Sequence, residues 1–269
     1  MNKKNLVSCL CVSGNSYQLL NRAIKCFLSQ TYKHKELIIV YQNNCSIDKN
    51  IIEQYRHEDI IFFEEDPNLK LTLGDLRNKS IAISNGEYVC IWDDDDWYHN
   101  QRLEMQVKAL KRNYKPACLL TNQLLFDETN SETYYTNTRM WENSLLCKKS
   151  LFNEDLNYQS ADIDEDSPLL NKFINNDYVY PLIGPTLYIY VYHGKNTWQG
   201  LHFQTIMSMS QKLSNQFSHL VQKILSGQVS NDEGSKKLVS PNFLREINYL
   251  HSSYPLKHIL HLHKEQDEF

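Results

Sequence analysis

Two near-continuous apolar runs, residues 6–12 (LVSCLCV) and 36–40 (ELIIV), flank a segment, 19–28, whose apolar residues recur every three or four positions. A strand that is apolar on both sides of its pleat must be covered on both faces, which is the condition of a parallel sheet flanked by helices. The amphipathic segment between the runs supplies the crossover that parallel neighbours require. The alternation continues. Residues 60–63 predict a third strand, and 73–84 a helix ended by Asn85-Gly86, with Gly86 suited to the left-handed position after a helix. Residues 87–92 (EYVCIW) predict a fourth strand that stops at Asp93-Asp94-Asp95-Asp96. The expected fold is α/β, a mostly parallel central sheet flanked by helices, with ligands beyond the carboxyl ends of the strands. Ser13, Tyr41-Gln42 and the aspartate run all fall at that edge.

The second half is less regular. Residues 102–110 read as a helix, 117–126 and 133–138 as strands, 162–175 as a helix and 186–192 (TLYIYVY) as a strand. Beyond Gly200, residues such as Phe203, Ile206, Phe217 and Ile224 recur at helical spacing, followed by a polar hinge at 227–236 and a tail at 238–269. The expected organisation is one α/β domain over 1–200, with halves of about 1–98 and 99–200, and a helical C-terminal extension over 201–269.

Composition narrows the function classes. Against 32 Asp+Glu the chain carries 28 Lys+Arg, a net charge of −4, whereas nucleic-acid binding calls for a basic surplus. No apolar run approaches the roughly 20 residues of a membrane-spanning helix, and the run after Asn5 is short for a signal peptide. The location expected is therefore cytoplasmic. The seven cysteines are odd in number and form no CxxC pair, so they read as reduced thiols packed as small hydrophobes. P-loop and GxGxxG patterns are absent, which disfavours ATPases and dehydrogenases.

Four carboxylates at the end of a buried strand need something positive to neutralise them. They are hard ligands suited to Mg²⁺ or Mn²⁺, metals that bridge protein carboxylates to phosphates. A solvated acidic turn is the plainer reading, but position favours metal–phosphate chemistry, because open α/β sheets bind ligands at this edge. Several blocks then occur in order: Val7–Asn15, Cys26–Tyr32 with 36–40, Arg77-Asn78 with Gly86-Glu87-Tyr88, Trp92–Asp96 with Arg102-Leu103, and Glu165-Asp166. Together they resemble the inverting family 2 glycosyltransferases of the GT-A fold, across about three quarters of the chain.

The resemblance implies roles. Asp93 and Asp95 would form the DXD pair, Asp93 binding the nucleotide near the ribose or metal and Asp95 as a metal ligand through the donor diphosphate. Asp96 is a further metal candidate, because four successive aspartates leave the register open by one residue. Ser13, Arg77 and Asp94 would contact the nucleotide, as would Tyr41 and Gln42, which stand where the family usually has an Asp pair. That change leaves the base open, with UDP expected on family grounds. Glu165-Asp166 would be the catalytic pair, Asp166 taking the proton of the acceptor hydroxyl. Read alone, the same two residues fit an acidic helix start. His193 is the candidate third metal ligand, Trp141 and Glu142 would line the acceptor pocket, and Lys195 and Trp198 would close over the donor. The histidines at 251, 258, 261 and 263 fit an amphipathic tail helix. The expected function is metal-dependent transfer of a sugar from a nucleotide sugar to a glycan or glycolipid hydroxyl, with Mn²⁺ or Mg²⁺. The C-terminal helices would offer a peripheral membrane or homodimer contact. The competing reading is a catalytically silent module of the same fold that binds sugar or a protein partner. A nucleotidyltransferase ranks behind both for want of a Gly-rich N-terminal loop.

Overall fold

A computed structural model of the protein describes residues 4–14, 17–42, 47, 49–56, 59–198 and 200–252. Along the chain run β1 (Val7–Ser13), α1 (Tyr17–Leu28), β2 (Lys35–Gln42), α2 (Lys49–Gln54), β3 (Ile60–Glu65), α3 (Leu73–Ile83), β4 (Tyr88–Ile91) and β5 (Trp97–Tyr98). There follow α4 (Arg102–Asn113), β6 (Ala117–Leu120), β7 (Leu124–Asp127), β8 (Glu132–Tyr135), β9 (Trp141–Lys148), α5 (Ser167–Asn175) and β10 (Val179–Leu182). The last elements are β11 (Tyr188–Tyr192), α6 (Gly200–Ser208), β12 (Gln211–Lys212), α7 (Asn215–Leu225), α8 (Asn231–Leu238) and α9 (Pro241–Ser252).

The central sheet has the order β10-β6-β9-β4-β1-β2-β3 and is parallel except for β9, which runs against both neighbours. Its middle strands are the apolar runs: β1 pairs in parallel with β2 on one side and β4 on the other, and both of its faces are buried. A second sheet, β12-β8-β7-β11-β5, stands beside it. Residues after 200 are continuous with the main core, where Phe217, Val221, Ile224 and Leu238 share one cluster with Phe27, Trp92 and Leu103. No described helix is long and apolar enough to cross a membrane. Cys9, Cys11, Cys26, Cys90, Cys118 and Cys147 are free and buried, as expected of packed thiols. The histidines at 258, 261 and 263 lie outside the described residues.

Several expectations change. The single strand over 117–126 is two strands in different sheets, β6 and β7, because Thr121, Asn122 and Gln123 cross between them as a buried polar step. Asn122 Nδ2 donates to Thr136 O (3.1 Å) and Thr138 Oγ1 (3.0 Å), and Gln123 N to Thr136 Oγ1 (2.9 Å). The helix expected from 162 starts at Ser167, leaving 162–166 in a loop. The hinge at 227–236 is mostly α8, capped by Ser230. Gly86 does not adopt a left-handed conformation. It is required for closeness instead, since a Cβ there would lie 2.5 Å from Ser8 Oγ and Tyr88 O.

Two buttresses position the carboxyl edge of the sheet. The first joins α3 to the irregular loop before α5. Thr72 and Asp75 form a capping box at the start of α3, and the loop lies directly on it. Gly74 N donates to Ala161 O (3.0 Å), Leu73 N to Asp162 Oδ1 (3.0 Å) and Ser160 Oγ to Asp75 Oδ2 (2.9 Å). Asn78 exchanges bonds with the backbone of Tyr158 at 2.8 and 3.0 Å. A Cβ on Gly74 would sit 1.7 Å from Gln159 O. The second buttress docks α8 behind β5. His99 Nε2 bonds Ser235 O (3.1 Å) while its Nδ1 accepts from Gln101 N (3.1 Å), so the ring is neutral with the proton on Nε2. Asn100 N donates to Ser235 Oγ (3.0 Å).

Two predictions follow from the buttresses. Gly74→Ala must push the 159–161 backbone away, and chemical denaturation should show a loss of about 1–3 kcal/mol, the usual size of core overpacking. Burial depresses the His99 pKa to about 4. The unfolded chain therefore binds a proton that the folded one refuses between about pH 6.5 and 4. Stability contributed by neutral His99 is complete above about pH 6.5 and is lost as pH falls, by up to about 3 kcal/mol. Denaturation midpoints of His99→Gln, measured from pH 7 to 4, should show a flatter acid limb than wild type.

Candidate active site

At the carboxyl edge of β1, β2 and β4 lies a cavity of about 660 Å³, walled also by the loop before α5, the start of β9 and residues 196–198. Because β1 and β4 are parallel neighbours, Ser13 and the aspartate run arrive at the same place, and Ser13 Oγ donates to Asp94 Oδ2 at 2.6 Å.

The four aspartates have different fates. Asp93, Asp94 and Asp95 line the cavity. Asp96 faces the core, fully buried, where its carboxylate accepts from the Tyr188 hydroxyl and from Val191 N (2.8 Å). This corrects Asp96 as a metal candidate, since its carboxylate is turned away from the cavity that Asp93, Asp94 and Asp95 line. The turn is pinned on its backbone as well: Tyr98 hydroxyl donates to Asp93 O (2.8 Å) and Arg22 donates to Asp95 O.

Arg77 joins the two acidic motifs. Its Nη2 lies 3.2 Å from Asp93 Oδ1 and its Nε 2.8 Å from Glu165 Oε1. Burial works against its charge, but Asp93, Tyr158, Glu165 and Asp166 outweigh it and hold the guanidinium protonated. Burial pushes the Asp93 carboxyl up, as do Asp95 and Asp166, while Arg77 pulls it down. Glu165 is likewise raised by burial and lowered by Arg77. Glu165 is thus the ion-pair partner that fixes the loop. Asp166, the next residue, precedes α5 but its side chain caps none of the helix N–H groups, so helix capping does not account for it. It lines the cavity.

His193 meets Asp95, with Nε2 3.2 Å from Oδ2, although it is not itself among the residues that line the cavity. Gly194 has φ +78°, and a Cβ there would meet nothing closer than 3.7 Å. The glycine therefore serves a tight reversal, not a close approach. The reversal returns Asn196, whose Nδ2 donates to Val191 O (2.9 Å) and Asp95 Oδ2 (3.3 Å). Among the described residues no three His, Cys, Asp or Glu side chains gather into a complete metal cage. Asp95 and His193 bring together one hard oxygen, a donor suited to Mn²⁺ or Mg²⁺ alongside phosphates and water, and one imidazole nitrogen, a softer donor.

The remaining expected residues divide. Gln42 lines the cavity, its Nε2 donating to Leu69 O (3.0 Å) and Asp66 O (3.3 Å). Tyr41 does not; it is 6 % exposed and packs into the core, because neighbouring residues of a strand face opposite ways. Trp141, Glu142 and Trp198 line the cavity, whereas Lys195 is exposed outside it. Burial raises the Glu142 carboxyl, with Arg139 acting the other way. Trp198 stacks on His202 with centroids 4.5 Å apart. Arg139, Asn143 and His202 also line the cavity and were not legible as site residues. His202 sits within a helical apolar pattern, and the other two lie in a polar stretch with no strand signal.

A family model described as Glycosyl transferase family 2 matches residues 8–179. An uncharacterized glycosyltransferase of Methanocaldococcus jannaschii is 28% identical over 200 residues, covering 67% of this chain and 68% of the relative. The putative teichuronic acid biosynthesis glycosyltransferase TuaG of Bacillus subtilis is 31% identical over 115 residues, covering 40% of this chain and 43% of the relative. The chain thus spans less than half the length of that second relative. Staphylococcus aureus TarS 1–349 in complex with UDP-GlcNAc superposes with TM-score 0.55 at 15% identity, over 94% of this chain and 77% of the other. Mannosyltransferase PcManGT from Pyrobaculum calidifontis, in complex with GDP-Man and Mn²⁺, superposes with TM-score 0.56 at 13% identity, over 93% and 76%. These likenesses establish the GT-A fold, and with the family match spanning well over half of the sequence, the chain belongs to glycosyl transferase family 2.

Proposed function

We propose that this chain moves a sugar from a nucleotide sugar, in the first instance a UDP-sugar, onto a hydroxyl of a glycan or glycolipid acceptor by a single inverting displacement. The observation that carries the reading is the Arg77 bridge. It holds the acidic turn, through Asp93, and the Glu165-Asp166 loop together at one cavity. A sugar hydroxyl is a weak nucleophile, so a carboxylate must take its proton as the new bond forms. Asp166 is suited to this role because it sits in the cavity beside a residue locked by Arg77, with no capping bond of its own to break. The leaving nucleoside diphosphate gains negative charge, which a divalent cation held at Asp95 and His193 would neutralise. Ser13, Gln42 and Asp94 would contact the nucleotide, while Trp141, Glu142 and Trp198 would contact sugar. The complexes of TarS with UDP-GlcNAc and of PcManGT with GDP-Man and Mn²⁺ support a nucleotide-sugar donor and a divalent metal. The similarity to TuaG, a teichuronic acid biosynthesis glycosyltransferase, supports a polysaccharide acceptor. A peripheral membrane or homodimer contact through the C-terminal helices remains part of the same proposal.

Three outcomes test this reading. In a thermal-shift series of UDP, GDP and CDP with and without Mn²⁺, a ligand at 100 times its Kd should stabilise the fold by about 2.7 kcal/mol. The expected shift needs both nucleotide and metal and disappears in Asp95→Ala; no shift from folded protein favours the silent module. Asp166→Asn should lower transfer by about 10²–10⁴-fold while nucleotide-sugar binding, read by calorimetry, is retained. Arg77→Leu leaves the buried Glu165 and the partly exposed Asp93 without their cation, and urea denaturation should show a loss of up to about 3–5 kcal/mol.

A further inference from the structure

The start of β9 departs from strand geometry in a way that bears on which sugar is taken. Leu120 pairs with Trp141 and Cys118 with Leu146, so two steps along β6 span five along β9. Across this bulge three consecutive residues, Trp141, Glu142 and Asn143, all line the cavity, where a regular strand would send the middle side chain to the other face. The bulge is braced from behind. Ser144 Oγ accepts from Leu120 N at 2.8 Å, and Gln106 Nε2 donates to Ser144 O at 2.8 Å. Arg139 enters from the preceding residues, its guanidinium 4.0 Å from the centre of the Trp141 ring.

Along this wall, buried polar atoms without a partner collect: Arg139 Nε, Trp141 Nε1, and both Nδ2 and Oδ1 of Asn143. Trp141 is only 1 % exposed. Leaving buried donors and acceptors unpaired is destabilising, and native structures rarely tolerate it outside functional sites. The set comprises three donors and one acceptor. A cation cannot satisfy the donors, a phosphate cannot donate to Asn143 Oδ1, and an apolar group satisfies neither. A hydroxyl both donates and accepts, so the hydroxyls of a pyranose ring can serve the donors and the acceptor alike.

We propose that Asn143, with the Trp141 indole N–H beside it, hydrogen-bonds the hydroxyls of a sugar ring in this cavity and so selects the sugar. This rests on the glycosyl-transfer reading above and adds the residue that discriminates. Hydroxyls of the donor sugar and of the acceptor sugar offer the same chemistry, and the test separates them. Asn143→Ala removes unpaired atoms, so thermal denaturation should show it as stable as wild type or more so, whereas a purely structural Asn143 would lower the midpoint. Trp141→Phe also removes packed ring volume and is read by binding alone. Calorimetry with UDP, UDP-glucose, UDP-N-acetylglucosamine, GDP and GDP-mannose, each with Mn²⁺, gives the second readout.

If the hydroxyls are the donor's, the variants bind the nucleotide sugar about tenfold more weakly, the worth of one such hydrogen bond, and bind the free diphosphate unchanged. If they are the acceptor's, donor binding and donor hydrolysis hold, and KM for a p-nitrophenyl glycoside acceptor rises about tenfold. Variants that bind and transfer as wild type does, or that lose UDP and UDP-sugar binding equally, overturn the assignment of Asn143. A folded wild-type protein that binds none of the five ligands overturns the glycosyl-transfer reading itself, and this inference with it.

Discussion

The ion pairs that Arg77 makes with Asp93 and Glu165 are the constraint on which the rest of the site depends. The loop before α5 has little regular structure, and residues 162–166 reach the cavity because α3 holds them there. Gly74 gives the loop backbone room to lie on the helix, Asn78 clasps Tyr158, and Arg77 closes the contact at the cavity itself. Removing one partner of such a buried set leaves uncompensated charge, which is far worse than never having placed the charges there. The same cation therefore serves the fold and fixes the distance between the two acidic motifs.

The acidic turn raises a second electrostatic problem, four carboxylates at one strand end, and arginines from three helices answer it. Arg77 on α3 pairs with Asp93, and Arg22 on α1 holds the carbonyl of Asp95. Arg102 on α4 is wholly buried among the rings of Trp92, Tyr98 and Tyr188, 4.7–5.3 Å from their centres, and its field lowers the Asp93 carboxyl. Arg102 Nε also bonds Gln106 Oε1 (3.1 Å), and Gln106 in turn braces the β9 bulge through Ser144. One chain of contacts thus connects the aromatic cage behind the turn to the wall on which Asn143 stands.

Much of the α/β scaffold was legible locally. β1, β2 and β4 are apolar on both faces, and the spacing within α1 and α4 marks one buried side. The aspartate run, Arg77 and Glu165-Asp166 stood out through their order along the chain. β9 was not legible, because its opening residues Trp141-Glu142-Asn143-Ser144 carry no alternating pattern; the bulge breaks the period by which strands are recognised. The split of 117–126 was hidden for a related reason. Thr121, Asn122 and Gln123 are buried by partners at 136 and 138, which no reading of neighbouring residues supplies.

By itself the sequence determined the strand–helix alternation, the placing of acidic groups at the carboxyl edge and the family pattern, because each is a property of consecutive residues. Only the tertiary structure decided the division of labour among residues of the same kind. Asp93, Asp95 and Asp96 are identical in sequence, yet Tyr188 and Val191 draw Asp96 into the core while Arg77 and His193 hold its neighbours at the cavity. Tyr41 and Gln42 are adjacent, yet one packs in the core and the other lines the site. The physical reason is range. Periodicity reports burial along a few residues, whereas most of the contacts that assign each carboxylate its role join groups nearly a hundred positions apart.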